Sequence, residues 1–506
     1  MKKHKKKSGR RFLRSRWPVL LAILLQFVFL CYILISGSRI SQAFLYILTG
    51  TSILCALVIL SGKGENAYKL TWIFWILALP IFGGFFYMVL QAQWSKKSFA
   101  RRARESEERI KAYLTYPKRS ISYAESQSLP PAVRYLAKSV GYPTYATEST
   151  TYYPSGEEMH SALLCALEGA ERYIFLEFFI IEEGKMWSSI LDVLKRKAKE
   201  GVRVRVLYDD VGCFTHLPKR YFKALSAFGI EAAAFHPFVS LFSIEQNNRD
   251  HRKIAVIDGE IAFTGGVNLS DEYINEVEKF GHWKDAAVSV KGSAAWAFAL
   301  MFLQMWELSE KTKEDILTFL PKEAKREERS LVAPYADSPM DEESVGENVY
   351  LSLIYNAKDY VYITTPYLII SDTMQRALTL AAKSGVDVRV ITPKKWDKRI
   401  VHTVTRSYYA DLLSAGVRVY EYTPGFIHAK TVVSDDRIAS VGSVNFDYRS
   451  LYLHFECGTL IAEESTVLSV KNDFLKTLSL SEPVTPENKK TGRIKGALLR
   501  LLAPLL

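Results

Sequence analysis

A histidine and a lysine that are separated by one residue occur twice in this chain. In both copies an aspartate lies five positions after the lysine. The two copies are His251-x-Lys253-x4-Asp258 and His428-x-Lys430-x4-Asp435. In an extended segment, residues two apart point to the same face, so each copy can present an imidazole and an ammonium group to one ligand. Donors of these two kinds suit a phosphate group.

A turn of small residues that ends in asparagine follows each copy. Residues 264–268 read Thr-Gly-Gly-Val-Asn, and residues 441–445 read Val-Gly-Ser-Val-Asn. The side-chain amides of Asn268 and Asn445 can donate to phosphate oxygens, so both residues are predicted to bind the substrate phosphate. Ser443 stands where the first copy has a glycine, and serine serves in such a turn as well. Motif, spacing and asparagine all recur, which makes chance a poor explanation.

Two such copies can face one phosphorus atom from opposite sides. One histidine then attacks as the nucleophile, while the other protonates the leaving alcohol and later deprotonates the incoming one. The two lysines and the two asparagines would hold the non-bridging oxygens. This chemistry requires no metal and no cofactor. The five cysteines show no ligand spacing, so neither a zinc site nor a disulfide framework is expected.

The elements that must position these residues also occur twice. Each copy is preceded by a β-rich apolar run (173–181, 360–370), a helix that stops at glycine (Gly201, Gly385), an alternating strand (202–207, 386–390), and a further helix and strand. Helices that alternate with strands predict sheet-based α/β domains. The repeated order predicts an internal duplication into two such halves.

The N-terminal part has the pattern of a membrane anchor. Residues 1–16 carry nine Lys or Arg and no acid, and runs with almost no charge follow at 17–36, 43–61 and 68–91. Such runs are long enough to cross a hydrocarbon layer of ~30 Å. Three crossings would place the remainder outside, yet the basic cluster at 96–104 favours the inside. The charges therefore leave open the number of crossings, two or three, and the side on which the rest lies.

These patterns divide the chain into six predicted segments. They are a membrane anchor with two to three transmembrane helices at 1–94, a connector at 95–146, a first half at 147–331, a linker at 332–344, a second half at 345–484 and a basic amphipathic C-terminal segment at 485–506. The last segment has the pattern of a helix that lies on an anionic bilayer or that packs on its own domain.

The paired motifs, each with its small-residue turn and asparagine, resemble the phospholipase D superfamily. Further stretches are similar to the bacterial cardiolipin synthases of that superfamily: Glu177 within 175–179, Thr365-Pro366-Tyr367, 267–273, Trp283-Lys284-Asp285, 445–450 and the ending 501–506. The resemblance covers nearly the whole chain from the second apolar run onward. It implies an α/β fold, a two-fold pseudo-symmetric pair of phospholipase D-like sheet domains preceded by N-terminal transmembrane helices.

The resemblance also implies an activity and the residues for it. Cardiolipin synthases of this type transfer a phosphatidyl group from one phosphatidylglycerol to another and release glycerol. His251 and His428 would be the nucleophile and the acid/base, with His251 as the nucleophile. Asp285 and Glu456 fall where the family has carboxylates that hydrogen-bond the catalytic imidazoles, which would fix their tautomers.

Other polar residues have plainer interpretations. Asp258 and Asp435 complete the catalytic motifs, but their position five residues beyond each lysine favours a structural role. Three histidines are expected to be ordinary surface or core residues: His236, His402 and His454. His282, beside Trp283, is left open. Lipid headgroups are an alternative to plain solvation for the basic residues Lys394, Lys395 and Arg406.

The net charge of +12 indicates an anionic partner, for which nucleic acid and anionic lipid both qualify. The apolar N-terminus and the resemblance favour lipid over nucleic acid. The resemblance implies that the lipid is phosphatidylglycerol and that the chain is a multi-pass protein of a bacterial cell membrane. A phospholipid hydrolase, a nuclease or a transferase with another alcohol acceptor are alternatives with the same chemistry. A catalytically inactive membrane scaffold is a further alternative, which two intact motifs disfavour. The oligomeric state is left open.

Overall fold

The structure is a computed structural model that describes the following parts of the chain. They are residues 39–62, 65–78, 94–116, 120–121, 128–236, 247–322, 330–485 and 503–505, with isolated positions between 28 and 35 and between 496 and 501. The chain forms two compact units. The described residues of the smaller unit lie mainly before Ala100, and those of the larger unit lie between Ala100 and residue 504.

The α-helices of the described part are numbered in chain order. They are α1 (Arg39–Ser61), α2 (Asn66–Ala78), α3 (Trp94–Lys111), α4 (Pro131–Tyr135), α5 (Gly156–Glu168), α6 (Lys185–Lys199), α7 (Asp210–Cys213), α8 (Tyr221–Ser226), α9 (Ala295–Glu310), α10 (Val345–Asn356), α11 (Asp372–Lys383), α12 (Arg399–Ser414), α13 (Tyr448–Tyr452) and α14 (Glu464–Ser479).

The strands are numbered in the same way. They are β1 (Ser120–Ile121), β2 (Thr144–Thr147), β3 (Ser149–Tyr153), β4 (Tyr173–Phe178), β5 (Arg203–Asp209), β6 (Glu231–Phe235), β7 (Lys253–Ile257), β8 (Ile261–Gly265), β9 (His282–Lys284), β10 (Ala287–Lys291), β11 (Ser330–Asp337), β12 (Tyr360–Thr364), β13 (Leu368–Ile369), β14 (Asp387–Pro393), β15 (Arg418–Tyr422), β16 (Gly425–Ile427), β17 (Thr431–Ser434), β18 (Ile438–Gly442), β19 (Phe446–Asp447), β20 (Glu456–Ile461) and β21 (Ser481–Pro483).

The first half is built on a seven-stranded sheet in the order β3-β10-β8-β7-β4-β5-β6. Strands β4, β5 and β6 are parallel, and β7, β8, β10 and β3 add to them antiparallel. Every residue of β4 and of β7 is buried. Burial on both faces explains why these strands consist of almost continuous apolar residues.

The second half repeats this order within a ten-stranded sheet, in which β11-β20-β18-β17-β12-β14-β15 corresponds to the seven strands of the first half. Strands β1 and β2 extend it beyond β11, and β21 closes the other edge. The α/β class and the duplicated pair of sheet domains are therefore confirmed. The equivalence also shows where the site must lie, because β7 and β17 carry the two motifs at the centre of their sheets.

The predicted linker at 332–344 is wrong in its first part. Residues 332–337 belong to β11, which pairs with β20 and corresponds to β3 of the first half. Seven of its eight residues are buried. The predicted connector likewise ends in β2, which pairs with β11. The second half thus begins about fifteen residues earlier than the prediction of 345, since its first strand starts at Ser330.

Helix α9 is buried on almost all sides and packs against strands of both halves. It contacts β4, β6, β7 and β8 of the first sheet and β11 of the second. Fourteen consecutive residues, from Ala295 to Leu308, are buried. A helix that is apolar all round belongs in the interior. It therefore forms a common core between the two sheets.

The smaller unit contains α1 and α2, which pack through Cys55, Ile59 and Ile76. Helix α1 includes the predicted apolar run at 43–61. The run at 17–36, apart from isolated positions, and the part of the third run after residue 78 lie outside the described residues. Across the part of the chain that the structure describes, no helix combines the length and the apolarity that a membrane crossing needs.

Most of the predicted C-terminal segment at 485–506 also lies outside the described residues. One of its basic side chains is described and packs on the larger unit. The Arg500 guanidinium donates to a carboxylate oxygen of Asp411 on α12 at 2.7 Å and covers the ring of Tyr408 at 4.5 Å. This contact favours, for that residue, the alternative of packing on its own domain.

Candidate active site

The two histidine–lysine motifs lie at equivalent places, at the start of a central strand in each sheet. Lys253 is the first residue of β7, and Lys430 directly precedes β17. Both strands have neighbours on either side, so their position is fixed by backbone hydrogen bonds. His251 and His428 are each 7% exposed, and each lysine is 1% exposed. The four side chains therefore lie in a largely water-excluded site.

Each histidine is also attached through its backbone to the other half of the protein. The N–H of His251 donates to the carbonyl of Phe455, and the N–H of Phe455 donates to the carbonyl of Arg249, both at 2.9 Å. The N–H of His428 donates to the carbonyl of Lys284 at 2.7 Å. Just before it, β16 pairs in parallel with β9. Short segments of the two halves are thus joined by backbone hydrogen bonds at the start of each motif.

The residue after each of these backbone partners is a carboxylate that reaches the histidine. Nδ1 of His251 lies 2.8 Å from an oxygen of Glu456, and Nδ1 of His428 lies 2.7 Å from an oxygen of Asp285. Both carboxylates are completely buried. The family resemblance had picked out these two residues. The structure brings each of them to the histidine of the opposite half, so that the exchange is reciprocal.

Both lysines are tied to their own histidines. Nζ of Lys253 donates to the backbone carbonyl of His251 at 2.5 Å. Nζ of Lys430 donates to the carbonyl of His428 and lies 2.8 Å from its Nδ1. Burial lowers the pKa of Lys253 to about 8 and that of Lys430 to about 7. Desolvated ammonium groups of this kind bind an anion strongly while they stay charged.

The imidazoles titrate below their ordinary range. Burial, followed by the charge of Lys253, lowers the pKa of His251 well below its usual value. Burial and then the charge of Lys430 lower the pKa of His428 to about 4, against the opposing effect of Asp285. The charges of His428 and Lys430 also depress the pKa of His251. Residues of both halves therefore act on one another within a single site.

The two carboxylates differ in their own ionisation. Burial raises the pKa of Glu456 well above its usual value. Burial also acts to raise the pKa of Asp285, but the charges of His428 and Lys430 outweigh it, and the net pKa is lowered. Asp285 is consequently the more firmly ionised of the two.

The small-residue turns differ between the halves, and the serine of the second turn acts against this difference, because its hydrogen bond lowers the pKa of Glu456. In the second half, Ser443 Oγ donates to Glu456 and also accepts the backbone N–H of Cys457 at 3.0 Å. In the first half the same position is Gly266, where a Cβ atom would lie 2.1 Å from an oxygen of Asp285. The glycine is therefore required by the close approach of the carboxylate, and no side chain can reach over it.

The two predicted phosphate-binding asparagines are both buried beside the motifs. Asn268 is 1% exposed and uses its amide within the protein, accepting from the N–H of Ile180 at 3.0 Å and donating to the hydroxyl of Tyr273 at 2.7 Å. Asn445 is 5% exposed, and its Oδ1 has no hydrogen-bond partner among the described residues. The amide of Asn445 thus makes fewer hydrogen bonds within the described part of the protein than that of Asn268. Phosphate binding stays a prediction for both residues.

The motif aspartates lie at the far ends of their strands, away from the histidines. The carboxylate of Asp258 accepts three backbone N–H groups from residues 171–173, all at 2.8 Å. Asp435 accepts three from residues 358–360 at 2.7 to 3.0 Å. Both adopt a left-handed backbone, with φ of 55° and 54°. Their grouping with the catalytic residues is therefore not supported by their location, whereas the structural role is.

His454, which the sequence analysis interprets as an ordinary surface or core histidine, lies beside the motif histidine His251. It is 9% exposed, its Nδ1 lies 3.9 Å from an oxygen of Glu456, and its ring centroid lies 5.5 Å from that of His251. Neither ring nitrogen has a hydrogen-bond partner among the described residues. Its position two residues before Glu456 is the signal that could have found it, because alternate residues of an extended segment share a face.

The three side chains just described are also the group that could hold a metal ion. One ligand atom each of His251, His454 and Glu456 lies within 4.8 Å of the others. Two imidazoles and a carboxylate are a donor set that zinc accepts. After burial, four positive charges lower the pKa of His454: Arg449, Lys253, Arg249 and Lys398. This field favours an anion over a cation, so the arrangement fits a phosphate group better than a metal.

Of the remaining histidines, His282 and His402 are engaged elsewhere. His282 Nδ1 lies 3.0 Å from the hydroxyl of Tyr422, and Nε2 of His402 lies 3.2 Å from the carbonyl of Pro393. Neither contacts the motif residues through a described hydrogen bond. Arg406 pairs with Glu421 at 3.0 Å.

The chain is similar to known proteins over most of its length. The family model described as "Cardiolipin synthase, PLD-like domain" matches residues 163–293 and 350–478. The cardiolipin synthase of Geobacillus thermodenitrificans is 33% identical over 93% of this chain and 95% of its own length. An uncharacterised protein of Streptococcus mutans is 41% identical over 89% of this chain and 99% of its own length.

Among solved structures, the phosphatidylserine synthase of Haemophilus influenzae has a similar fold. It aligns with a TM-score of 0.55 at 16% identity and covers 72% of this chain and 95% of its own. At that identity the likeness concerns the fold alone.

Proposed function

The chain belongs to the cardiolipin synthase family of phosphatidyltransferases, and on that premise we propose that it joins two phosphatidylglycerol molecules into cardiolipin and releases glycerol. The observation that carries the proposal is the reciprocal exchange at the site. Each imidazole is held at Nδ1 by a carboxylate of the opposite half. The hydrogen bond fixes the tautomer and leaves Nε2 of both rings for the substrate.

In the first proposed step, Nε2 of His251 forms a bond to the phosphorus of one phosphatidylglycerol. The bond from phosphorus to the glycerol headgroup oxygen breaks as this occurs. His428, protonated at Nε2, gives its proton to that oxygen, and glycerol leaves. The product is a phosphatidyl group on His251.

In the second step, a headgroup hydroxyl of another phosphatidylglycerol attacks the same phosphorus. Its proton passes to Nε2 of His428, and the bond between phosphorus and His251 breaks. Cardiolipin leaves, and both histidines return to their starting states. Lys253 and Lys430, with Asn445, are placed beside the motifs to hold the non-bridging oxygens as negative charge accumulates on them.

The assignment of His251 as nucleophile is supported by the difference between the two carboxylates. A nucleophile must be neutral, and burial keeps the pKa of His251 well below its usual range. A general acid must carry a proton, and although burial lowers the pKa of His428 to about 4, the charge of the firmly ionised Asp285 opposes this lowering. The bound phosphodiester adds a further negative charge that favours the protonated form of His428.

The proposed location is the bacterial cell membrane, with the chain as a multi-pass protein. It rests on the three apolar runs at 17–36, 43–61 and 68–91. A membrane anchor also suits the chemistry, because both proposed substrates are lipids of a bilayer. Nucleic acid is not part of the proposal.

The test is a product assay on the full-length protein in detergent with labelled phosphatidylglycerol and no added nucleotide. We expect cardiolipin and glycerol in equal amounts, and loss of both products in His251→Gln and His428→Gln. His160→Gln is the matched control, since His160 contacts Ser189 outside the site. Phosphatidic acid as the only product would show hydrolysis instead of transfer. No conversion of the lipid would overturn the proposed substrate.

A further inference from the structure

The segment from Lys394 to Ile400, here called the 394–400 loop, connects β14 to the first turn of α12. It exposes two large apolar side chains, Trp396 at 51% and Ile400 at 58%. Four exposed cations stand among them: Lys394, Lys395, Lys398 and Arg399. Neither apolar side chain is buried. The loop therefore presents a small surface to solvent that is both amphipathic and strongly basic.

The one acidic residue of the loop, Asp397, does not lie on this exposed surface. Asp397 turns inward, where it accepts the hydroxyl of Tyr367 at 2.5 Å and the N–H of Lys398 at 2.6 Å. Lys394 pairs with Glu482 at the surface. The other three cations have no carboxylate within salt-bridge distance among the described residues. The outward face of the loop is therefore positive.

We propose that the 394–400 loop docks on an anionic phospholipid bilayer, with Trp396 and Ile400 in the interface and its cations on headgroup phosphates. Tryptophan is favoured at membrane–water interfaces, where its ring is apolar and its N–H stays wet. Lysine and arginine near an anionic surface add attraction and can lay their apolar stems along it. The inference rests on the proposed function and adds to it the surface that faces the lipid.

The loop lies beside the candidate active site. The hydroxyl of Tyr367 donates to Asp397, and the ammonium group of Lys398 lies over the Tyr367 ring, 5.4 Å from its centroid. The charge of Lys398 depresses the pKa of His454, whose ring neighbours His251. A bilayer in contact with this loop would therefore lie close to the candidate active site.

The equivalent connection of the first half lacks this combination. After β5, which corresponds to β14, the chain forms α7 and continues through residues 214–220. Lys219 and Arg220 are exposed there, but Phe214 and Leu217 are half-buried. Residues 214–220 of the first half thus expose cations without an exposed large apolar side chain, whereas the 394–400 loop exposes both, so docking is predicted to be one-sided.

A site-specific probe tests the contact directly, whether or not the chain is anchored elsewhere. The full chain, with Cys31, Cys55 and Cys165 replaced by serine, carries Trp396→Cys labelled with an environment-sensitive fluorophore. It is placed in nanodiscs of phosphatidylcholine with or without phosphatidylglycerol and with quencher-bearing lipid chains. We expect a blue shift and quenching that are several-fold stronger in the anionic nanodiscs.

The control probe is Leu380→Cys on α11, where Leu380 is 57% exposed. Helix α11 ends before β14 begins, so this position is at the opposite end of a strand of about 20 Å. It should show little quenching. Equal quenching at positions 396 and 380, or none at 396, would overturn the docking. A response at 396 to an added protein in place of lipid would overturn it too.

A kinetic test separates docking from the chemistry of the site. Lys395→Glu with Arg399→Glu should weaken the apparent affinity for anionic vesicles by about fivefold for each cation lost. Turnover of a short-chain phosphatidylglycerol, dissolved as monomers, should stay unchanged. The matched charge reversals, Arg376→Glu with Lys383→Glu on α11, should affect neither. Loss of monomer turnover in the loop variants would contradict a role confined to docking.

The proposed function and the docking fail in different ways. If phosphatidylglycerol is not converted in any form, the function is overturned while the probe at 396 still reports on lipid contact. If monomeric and vesicular substrates respond equally to the loop variants, the docking is overturned while the function stands.

Discussion

The two halves carry the same histidine, lysine and carboxylate, but they surround them differently. His251 is held by Glu456, whose other oxygen receives Ser443. His428 is held by Asp285, and the equivalent turn residue there is a glycine. Burial raises the pKa of Glu456, whereas the charge of His428 helps to lower that of Asp285. One duplicated motif has thus become two unequal acid–base pairs.

A second difference lies beneath the motifs. The first half has a buried charged trio, Glu177, Asp250 and Arg252. Arg252 donates to the backbone carbonyl of Glu456 at 3.2 Å. Burial raises the pKa of Glu177 well above its usual value and that of Asp250 to about 6. The corresponding residues of the second half are Thr364, Ile427 and Ala429. His251 therefore has three buried charged neighbours, whereas none of the three equivalent residues beside His428 is charged.

The largest effect is expected from the histidines themselves, and it can distinguish their roles. His251→Ala and His428→Ala should each lower kcat with phosphatidylglycerol by about 10⁴-fold or more. With a nitrophenyl phosphodiester, whose leaving group needs no proton, His428→Ala should keep a burst of nitrophenol and His251→Ala should lose it. A burst in His251→Ala alone would reverse the assigned roles.

The carboxylates come next. Asp285→Asn and Glu456→Gln should each lower kcat by about 10²- to 10³-fold, because the imidazole loses its orientation and the support for its charge. Asp285→Asn should be the more severe in the first step, which requires protonated His428. Rapid quench of the phosphoenzyme separates the steps. Equal rates of its formation in both variants would contradict the difference between the halves.

Exchanging the turn residues probes the same difference more gently. Gly266→Ser should lower kcat by about tenfold to 100-fold, because the new side chain meets Asp285 at a distance that only a shift can relieve. Ser443→Gly should lower kcat by about tenfold, since Glu456 loses the hydrogen bond from the serine hydroxyl that helps to hold it in place. Ser443→Ala, which keeps the backbone preference of the turn, is the control for added flexibility.

The pKa values of the two motif lysines predict how kcat/KM should fall at alkaline pH. Their pKa values are lowered by burial to about 8 for Lys253 and about 7 for Lys430. Each ammonium loses its charge as pH rises through its pKa, so kcat/KM should fall between about pH 7 and 8. Lys430→Arg should move the fall upward, because guanidinium stays charged. An unchanged limb in that variant would exclude Lys430 as its source.

The smallest effect on activity is expected from the motif aspartates. Asp258→Ala and Asp435→Ala should lower the free energy of unfolding by about 1–3 kcal/mol, since each leaves three backbone N–H groups without an acceptor. Asn keeps one acceptor oxygen and tolerates the left-handed backbone, so Asp258→Asn should recover part of the loss. A thermal melt measures this. A fall in kcat without a fall in stability would return these residues to the catalytic set.

The duplication and the motif strands could be predicted because they rest on local pattern. Apolar runs of β-rich residues and helices that stop at glycine repeat in one order around both motifs. The carboxylates Asp285 and Glu456 were found through family resemblance. Which histidine each serves could not be predicted, because it depends on the parallel contact of β9 with β16, segments about 140 residues apart in the chain.

Two further features were hidden for related reasons. Strand β11 contains Pro334 and lies between polar stretches, so its local pattern indicates a linker, whereas pairing with β20 makes it a strand. His454 has no motif of its own. Its only local signal is its position two residues before Glu456, and its nearness to His251 depends on the backbone hydrogen bond between His251 and Phe455, which joins distant parts of the chain.

Each half supplies the carboxylate that binds the histidine of the other half, and this arrangement does not require a single chain. Two identical chains related by a two-fold axis would satisfy the same exchange, each supplying an acid to the other's histidine. In such a pair the two free imidazoles would have the same microscopic pKa, and only a proton on one of them or a bound substrate would make them differ. Once two copies are joined in one gene, each accumulates its own substitutions. Ser443 opposite Gly266, and Glu177 opposite Thr364, are differences of this kind, built into the chain itself.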